Sequence, residues 1–570
     1  MVLDISGTRL WYDNLHPQSY SAPPTENTPS ATLQAFEALP SVHLKKMGSL
    51  GAISTASFRG QPSRNTRLRI DDVPVQDTAG NVNLSPLWGG TTQLKSVIPG
   101  SHGVRYGEGS SGGLLLMETP FLPSANSATV EVGSFQTGYG HLAHQHTTPS
   151  TKWVIHGQGL RNQGLPQYGS SRKLGEKGRM YNTQLATRLQ HQLDHDSILH
   201  LSGRTSEHAS KYDLDPQHLS PKPQGNQTNH ISLIGVGLEK TLPTHHHFFR
   251  TFASHHKLKY TETPVSQILM TGATYEGTYT LSPRLVSTLL GGVESHHVQS
   301  TPLLKKTAIL SHLGGLQKIL ITPHLAAEVG ARLDQHQKLG SQGTYTASLA
   351  HTSTTHLIKA GIHRGFLNPS DYEMYITNPF IQGNPALKPQ QTQTIDATLQ
   401  KQFPIKNLVF QVTPFWTQTK KTIHAIFENN RYRTVNLPGK TYISGFESQL
   451  TYTPQDDWKL FLSYGYTNLN CSKANVNPEF PKHKAQGRLE HELFPDVKIT
   501  PELHYIGRRR SYSGEPLKDY FLTHISIKQE LKPGFSVFGR VHNCFDTRYE
   551  QTYGYQTPRR EFYVGMHVHF

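Results

Sequence analysis

A chain of 570 residues is long enough for several ordinary domains, yet only 35% of it is hydrophobic and its mean hydropathy is −0.51. No run of about 18 apolar residues occurs, which excludes a transmembrane helix, and 25 Tyr, 23 Phe and 5 Trp are too many aromatics for a disordered chain. Two cysteines, Cys471 and Cys544, exclude a disulfide framework and a zinc-finger-type site. The net charge of +15 is scattered and comes with no nucleic-acid-reading motif, so no nucleic acid partner is expected.

In chain order, the opening MVLDISGTRL lacks the basic start and apolar core of a secretory leader. A Pro/Ser/Thr-rich connector, HPQSYSAPPTENTPSA, leads into one short predicted helix. Thr28 is its N-cap, Pro29 its first residue, and Leu33, Phe36 and Leu39 share a face before Pro40 stops it. From residue 41 to about 120 the pattern is short strands and glycine turns. Within it, GEGSSGG (107–113) satisfies both the dinucleotide fingerprint and the nucleophile elbow of serine hydrolases. Both motifs need a helix after the glycines. Here four apolar residues, Leu114 to Met117, are followed by Pro120 and Pro123, so a short strand is expected and no enzyme.

From about residue 125 strict alternation takes over. Trp458, Leu460, Leu462, Tyr464 and Tyr466 fall on one face of a strand, with Lys459, Ser463, Gly465 and Thr467 opposite. At the C-terminus Phe562, Val564, Met566, Val568 and Phe570 share a face, opposed by Tyr563, Gly565, His567 and His569. Apolar-out, polar-in strands with aromatic ends are what a bilayer-facing barrel requires, and alternation explains the low mean hydropathy. Residues 125–570 divide into about 22 strands at roughly 20 residues per strand and connection, and a barrel of that size needs its lumen filled. The fold class expected is therefore an all-β transmembrane barrel of about 22 antiparallel strands with an N-terminal α+β plug in the lumen.

Histidine is abundant, 34 residues, with runs at His245-His246-His247, His255-His256 and His296-His297. Neighbouring strand residues point to opposite faces, so such pairs do not chelate one ion; lumen and loop polarity is the reading favoured.

These segments resemble the TonB-dependent outer-membrane receptor family. LQAFEALPSVHLKK is similar to the family's opening plug element. SFRGQPSRNTRLRIDDVPVQD is similar to its plug strand pair, through Arg59-Gly60 and Ile70-Asp71-Asp72-Val73-Pro74-Val75. VIPGSHGVRYGEGSSGGLLLMET matches a further plug element, with Tyr106-Gly107 and Gly112-Gly113 in register. GFLNPSDYEMYITNPFIQGNPALKP and the terminal HNCFDTRYEQTYGYQTPRREFYVGMHVHF match barrel elements. The resemblance implies a plug over 1–123, a 22-stranded barrel over 124–570, a bacterial outer-membrane location and a monomer. It also implies uptake of a scarce metal–organic chelate, energised by a TonB-type complex that pulls an N-terminal box, with no covalent cofactor. The box is partial or missing at VLDISGTRL, which keeps a non-transporting surface receptor on the same scaffold as an alternative.

The similarity is greatest to the cobalamin branch, through YGYQTPRREF and KKMGSLGAIST. That branch implies ligand contacts at Met47, Ser49 and Leu50 in one plug loop and at Gln76, Asp77, Thr78 and Asn81 in the next. Its calcium-binding loops should be rich in aspartate, whereas residues 161–180 hold no Asp and the next loop offers only Asp213 and Asp215. Calcium takes six to eight oxygens, so calcium is not expected. The loops are basic instead, with Arg172, Lys173, Lys177, Arg179 and Arg508-Arg509-Arg510, which suits an anionic ferric siderophore or outer-leaflet lipid phosphates.

Overall fold

Exposure along the last strand, Glu561–His569, is the inverse of a soluble protein's. Phe562, Val564 and Met566 are 54%, 62% and 45% exposed, while Tyr563 is buried. Trp458 and Leu462 likewise face out, and Ser463 and Thr467 face in. A face this apolar has no place in water, and it is the face a bilayer would cover. The computed structural model describes residues 28–40, 42–165, 178–213, 224–261, 265–300, 304–378, 381–405, 407–471, 477, 479–512 and 514–570.

Twenty-two antiparallel strands close into one barrel. The first, Asn126–Gly133, pairs with the last, with Val130 opposite Met566. Backbone bonds between Asn126 and Phe570 in both directions finish the seam. Full closure removes the sheet edges that hydrocarbon cannot solvate. Connections at one rim are short, such as 283–284 and 533–534; those at the other include 368–389, 421–439 and 543–560. Short turns mark the periplasmic rim and long loops the extracellular one.

The predicted helix forms as α1 (Pro29–Glu37): the Thr28 hydroxyl accepts from Ala31 N at 3.4 Å. Its Phe36 ring meets Trp88 edge-on at 5.4 Å. A hairpin follows, β1 (Val42–Lys46) with β2 (Ser54–Phe58). Next come β3 (Thr66–Ile70), β4 (Val73–Val75), β5 (Gln93–Pro99), α2 (Gly103–Tyr106) and β6 (Gly113–Glu118). They build a sheet of order β4-β3-β6-β5 in which β3 and β6 run parallel. Its fully buried Leu68, Ile70, Val73, Val97 and Leu115 continue without a break into Ile231, Leu233, Phe252 and Met270 of the barrel wall. One side of the plug thus shares a core with the barrel.

GEGSSGG lies between α2 and β6, so the helix precedes the glycines and a strand follows them. Gly107 and Gly109 have φ of 70° and 76°, which only glycine adopts freely. A Cβ on Gly107 would come within 2.2 Å of the Arg332 guanidinium. The stretch is a tight turn pressed against the wall, and neither catalytic pattern has the setting it needs.

Candidate ligand site at the plug apex

At the extracellular end of the plug two loops rise, 47–53 and 76–83. The second is closed on itself: the Asp77 carboxylate accepts from Ala79 N at 2.9 Å and Asn81 N at 2.8 Å, and Asp77 N donates to Asn81 O at 3.0 Å. Asn81 therefore contributes backbone to the turn. Burial holds the Asp77 carboxyl up at about 6, against the two N–H donors, which pull it down. Gln76 and Thr78, on either side of Asp77, line a cavity of about 60 Å³ beneath barrel loop 368–389. That is room for about two waters, not for a chelate. The cavity's other walls come from Arg64, Arg67 and Glu108 of the plug and from His296, His336 and Asp371 of the barrel.

The lid over this cavity is a short helix, α3 (Asp371–Tyr375), that opens with a capping box. The Ser370 hydroxyl accepts from Glu373 N at 3.2 Å, and the Glu373 carboxylate accepts from Ser370 N at 2.9 Å. The same carboxylate receives both terminal nitrogens of plug residue Arg64, one of them at 2.7 Å. Extracellular loop and plug apex are thereby latched through one half-buried side-chain pair. Arg67, one strand in, donates to Glu108 O at 2.9 Å and reaches Glu294 of the wall at 3.4 Å.

The other predicted loop sits differently. Leu50 is buried in a cluster with Tyr139, Leu160 and Met180 of the wall, and Ser49 is buried as well. The backbone runs so close here that a Cβ on Gly51 would fall 1.9 Å from Met180 Cε. Met47 is half-buried, and its N–H bonds to Ile53 O within the loop. The structure thus brings Gln76 and Thr78 to the cavity, turns Asp77 into its own loop, and commits Leu50 to packing against the wall.

Among the basic candidates, Arg172, Lys173 and Lys177 lie outside the described residues, as do Asp215 and the Asp213 side chain. Arg179 is exposed. The arginine triplet divides. Arg508 and Arg510 face outward, whereas Arg509 turns inward. It is buried, donates to Gln551 O at 3.0 Å and Glu550 O at 2.8 Å, and stacks over Tyr520. Its guanidinium ties loop 507–519 to loop 543–560.

Three further plug–wall contacts were not foreseen. Arg59, in the left-handed region at φ 46°, donates bidentately to Glu447 at 2.9 Å and 2.9 Å and reaches Asp396 at 3.1 Å. Lys484 of the wall donates to the backbone oxygens of Leu39 and Val42 at 2.8 Å and 2.5 Å. At the periplasmic end the Arg540–Glu131 pair grips the head of α1, with Arg540 donating to Thr28 Oγ1 at 2.8 Å. Partners hundreds of residues apart leave no local signal; only the S-x-x-E capping box of residues 370–373 was legible. The histidine runs split as alternation requires. His255 and His297 face out, while His256 bonds to Asn229 and His296 to Glu294 inside. Cys544 stands free.

Residues 124–544 match the family described as TonB dependent receptor-like, beta-barrel. The vitamin B12 transporter BtuB of Vibrio vulnificus (strain YJ016) is 19% identical, over 94% of this chain and 88% of its own. A variant of the ferric enterobactin receptor PfeA of Pseudomonas aeruginosa superposes with a TM-score of 0.80 at 15% identity, covering 98% of this chain and 99% of its own. The siderophore receptor PirA of Acinetobacter baumannii does so with a TM-score of 0.79 at 15% identity, over 99% and 100% of the two chains. With a plugged 22-strand barrel and a family match over most of its length, the chain belongs to the TonB-dependent receptors of the bacterial outer membrane.

Proposed function

We propose that this receptor imports a metal–organic chelate, of the cobalamin class first and a ferric siderophore second, and catalyses no covalent reaction. The observation that carries the reading is the small polar cavity between Gln76, Thr78 and loop 368–389, held shut by Arg64 and Glu373. A chelate reaching the mouth would have to part that latch, and its own polar rim would then take over the exposed hydrogen-bonding groups. Much of the plug's remaining hold on the wall is ionic or hydrogen-bonded, through Arg59, Lys484 and Arg540. Such contacts can exchange for water when the plug shifts, which suits displacement by a TonB-type energy-coupling complex. The cobalamin class is placed first because the similarity to a vitamin B12 transporter runs along 94% of the chain. Arg64 and Arg67 at the apex favour the second reading, since guanidinium groups pair with anionic chelates.

Equilibrium dialysis of the folded barrel against cyanocobalamin, with and without a calcium chelator, tests this. Saturable binding that survives the chelator supports the cobalamin reading without a calcium site. A folded barrel that ignores cyanocobalamin but binds a ferric siderophore moves the second reading to first place. Binding of neither would sink both.

A further inference from the structure

The turn GEGSSGG presents one charged side chain, Glu108. Gly107 and Gly109, on either side of it, both have positive φ, and Gly109 N donates to Phe366 O at 3.1 Å, which pins the turn to the wall. Glu108 thereby joins the lining of the apical cavity beneath loop 368–389. Three buried oxygen atoms of the same lining have no hydrogen-bond partner among the described residues. They are Thr66 Oγ1 of β3, Asn368 Oδ1 of the loop and Asp371 Oδ1 at the start of α3. Their residues are 4%, 6% and 9% exposed. Buried polar atoms are nearly always paired, so three orphaned acceptors around one cavity of about 60 Å³ call for a common partner.

Charge points the same way. The guanidinium groups of Arg64 and Arg67 also line the cavity, but Glu373 matches the first and Glu294 the second. Asp371 and Glu108 have no cationic side chain within ion-pair distance among the described residues. Buried carboxylates are paired or bound to a metal ion, because an unmatched one is costly to desolvate. The two imidazoles of the lining have partners of their own. His296 Nε2 meets Glu294 at 3.3 Å, and His336 Nδ1 accepts from Lys338 N at 3.1 Å and Leu339 N at 3.2 Å. Among the described residues no three His, Cys, Asp or Glu side chains are placed to hold a metal ion, which argues against a zinc-type site. What the cavity offers is oxygen, from two acids and two neutral groups.

We infer that a hard divalent cation, calcium in size, seats in this cavity and clamps the extracellular loop to the plug. Thr66 and Glu108 bind it from the plug, Asn368 and Asp371 from the loop. Two carboxylates, a carboxamide and a hydroxyl supply about four to six oxygens, and about two waters complete the six to eight that calcium takes. Donors drawn from two separate elements form an irregular shell, which calcium tolerates and magnesium, with its near-ideal octahedron, does not. None of these residues belongs to loop 161–180 or to the Asp213–Asp215 loop, whose few carboxylates count against calcium there. The clamp acts in parallel with the Arg64–Glu373 pair. A chelate that parts the loop from the plug also releases the cation, so its own binding does not require calcium.

The test uses the full chain folded in detergent, stripped with EDTA and dialysed against calcium alone, so its outcome is separate from that of the chelate reading. One calcium ion per chain should bind saturably, with magnesium competing at least roughly ten-fold more weakly. Glu108→Gln on the plug and Asp371→Asn on the loop should each weaken binding roughly ten-fold or more, since affinity follows the number of charged ligands. Asp456→Asn, an exposed acid at a turn of the opposite rim, should leave it unchanged. On the unaltered chain calcium should slow amide exchange over 368–378, a readout that requires no variant to fold. The absence of saturable binding, calcium held equally by both variants, or exchange over 368–378 indifferent to calcium would overturn the proposal and leave the cavity to water.

Discussion

The guanidinium of Arg64, on the plug, and the carboxylate of Glu373, on an extracellular loop, form one bidentate pair whose acidic member also caps α3. Plug position and loop position are therefore coupled through a single side chain. When the plug moves, α3 loses a partner that also fixes its first turn.

Arg64→Met should free the lid without unfolding the barrel. Hydrogen bonds to charged groups contribute about 1.5–3 kcal/mol. Amide exchange over 368–378 should rise roughly ten-fold or more, while the barrel strands keep their protection. Unchanged exchange in that segment would mean the pair does not hold the loop.

Asp77 makes a pH-dependent mouth. Its folded carboxyl is raised to about 6 from an ordinary value of 3.8, so the neutral form is favoured by folding. The cost of holding the charged form is present in full above about pH 6 and is gone below about 4. Protonation removes a negative charge beside the cavity. An anionic chelate should bind more tightly as pH falls from 7 to 5, and Asp77→Asn should flatten the profile. For an uncharged chelate little pH dependence is expected in either protein, so the same titration separates the two ligand classes.

Removing one member of the Arg59 cluster should be costly. Arg59→Met strands Glu447 and leaves Asp396 with His363 at 3.7 Å. Breaking a buried pair in this way costs about 3–5 kcal/mol. Plug unfolding followed by urea titration should shift accordingly, and the double variant Arg59→Met/Glu447→Leu should recover part of the loss. A double variant worse than the single one would show that the pair is not the stabilising unit.

Leu50 and Gln76 should part company under mutation. Leu50→Ala empties a site packed against Tyr139, Leu160 and Met180, and should cost about 2–5 kcal/mol of stability. Gln76→Ala, at the cavity, should spare stability and weaken ligand binding roughly five- to ten-fold through the loss of one hydrogen bond. Thermal unfolding read beside equilibrium dialysis distinguishes them.

Val564 tests the membrane face. It is 62% exposed on the closing strand, and Val564→Lys should cost about 2–4 kcal/mol for folding into lipid vesicles if it sits near the bilayer centre. The same change should matter little in detergent-free urea, where no hydrocarbon is displaced.

Period-two alternation, the Thr28–Pro29 cap and the proline stops after Met117 are local properties, readable from the sequence because a strand or helix end is specified by residues a few positions apart. They determined the barrel, the first helix and the strand that follows GEGSSGG. The glycine motif itself was ambiguous until its flanks were read, since three spaced glycines suit any tight turn. What the tertiary structure alone decided is which groups meet inside the lumen. Arg59 finds Glu447, Arg64 finds Glu373, and Arg509 turns inward to two backbone carbonyls, although it reads in sequence as one of three equivalent arginines. Leu50 and Thr78 both belong to apical turns, and only wall contact separates a packing residue from a cavity residue. Such pairings depend on strand register around a closed barrel and on the depth at which the plug seats, and neither is written in any short stretch of chain.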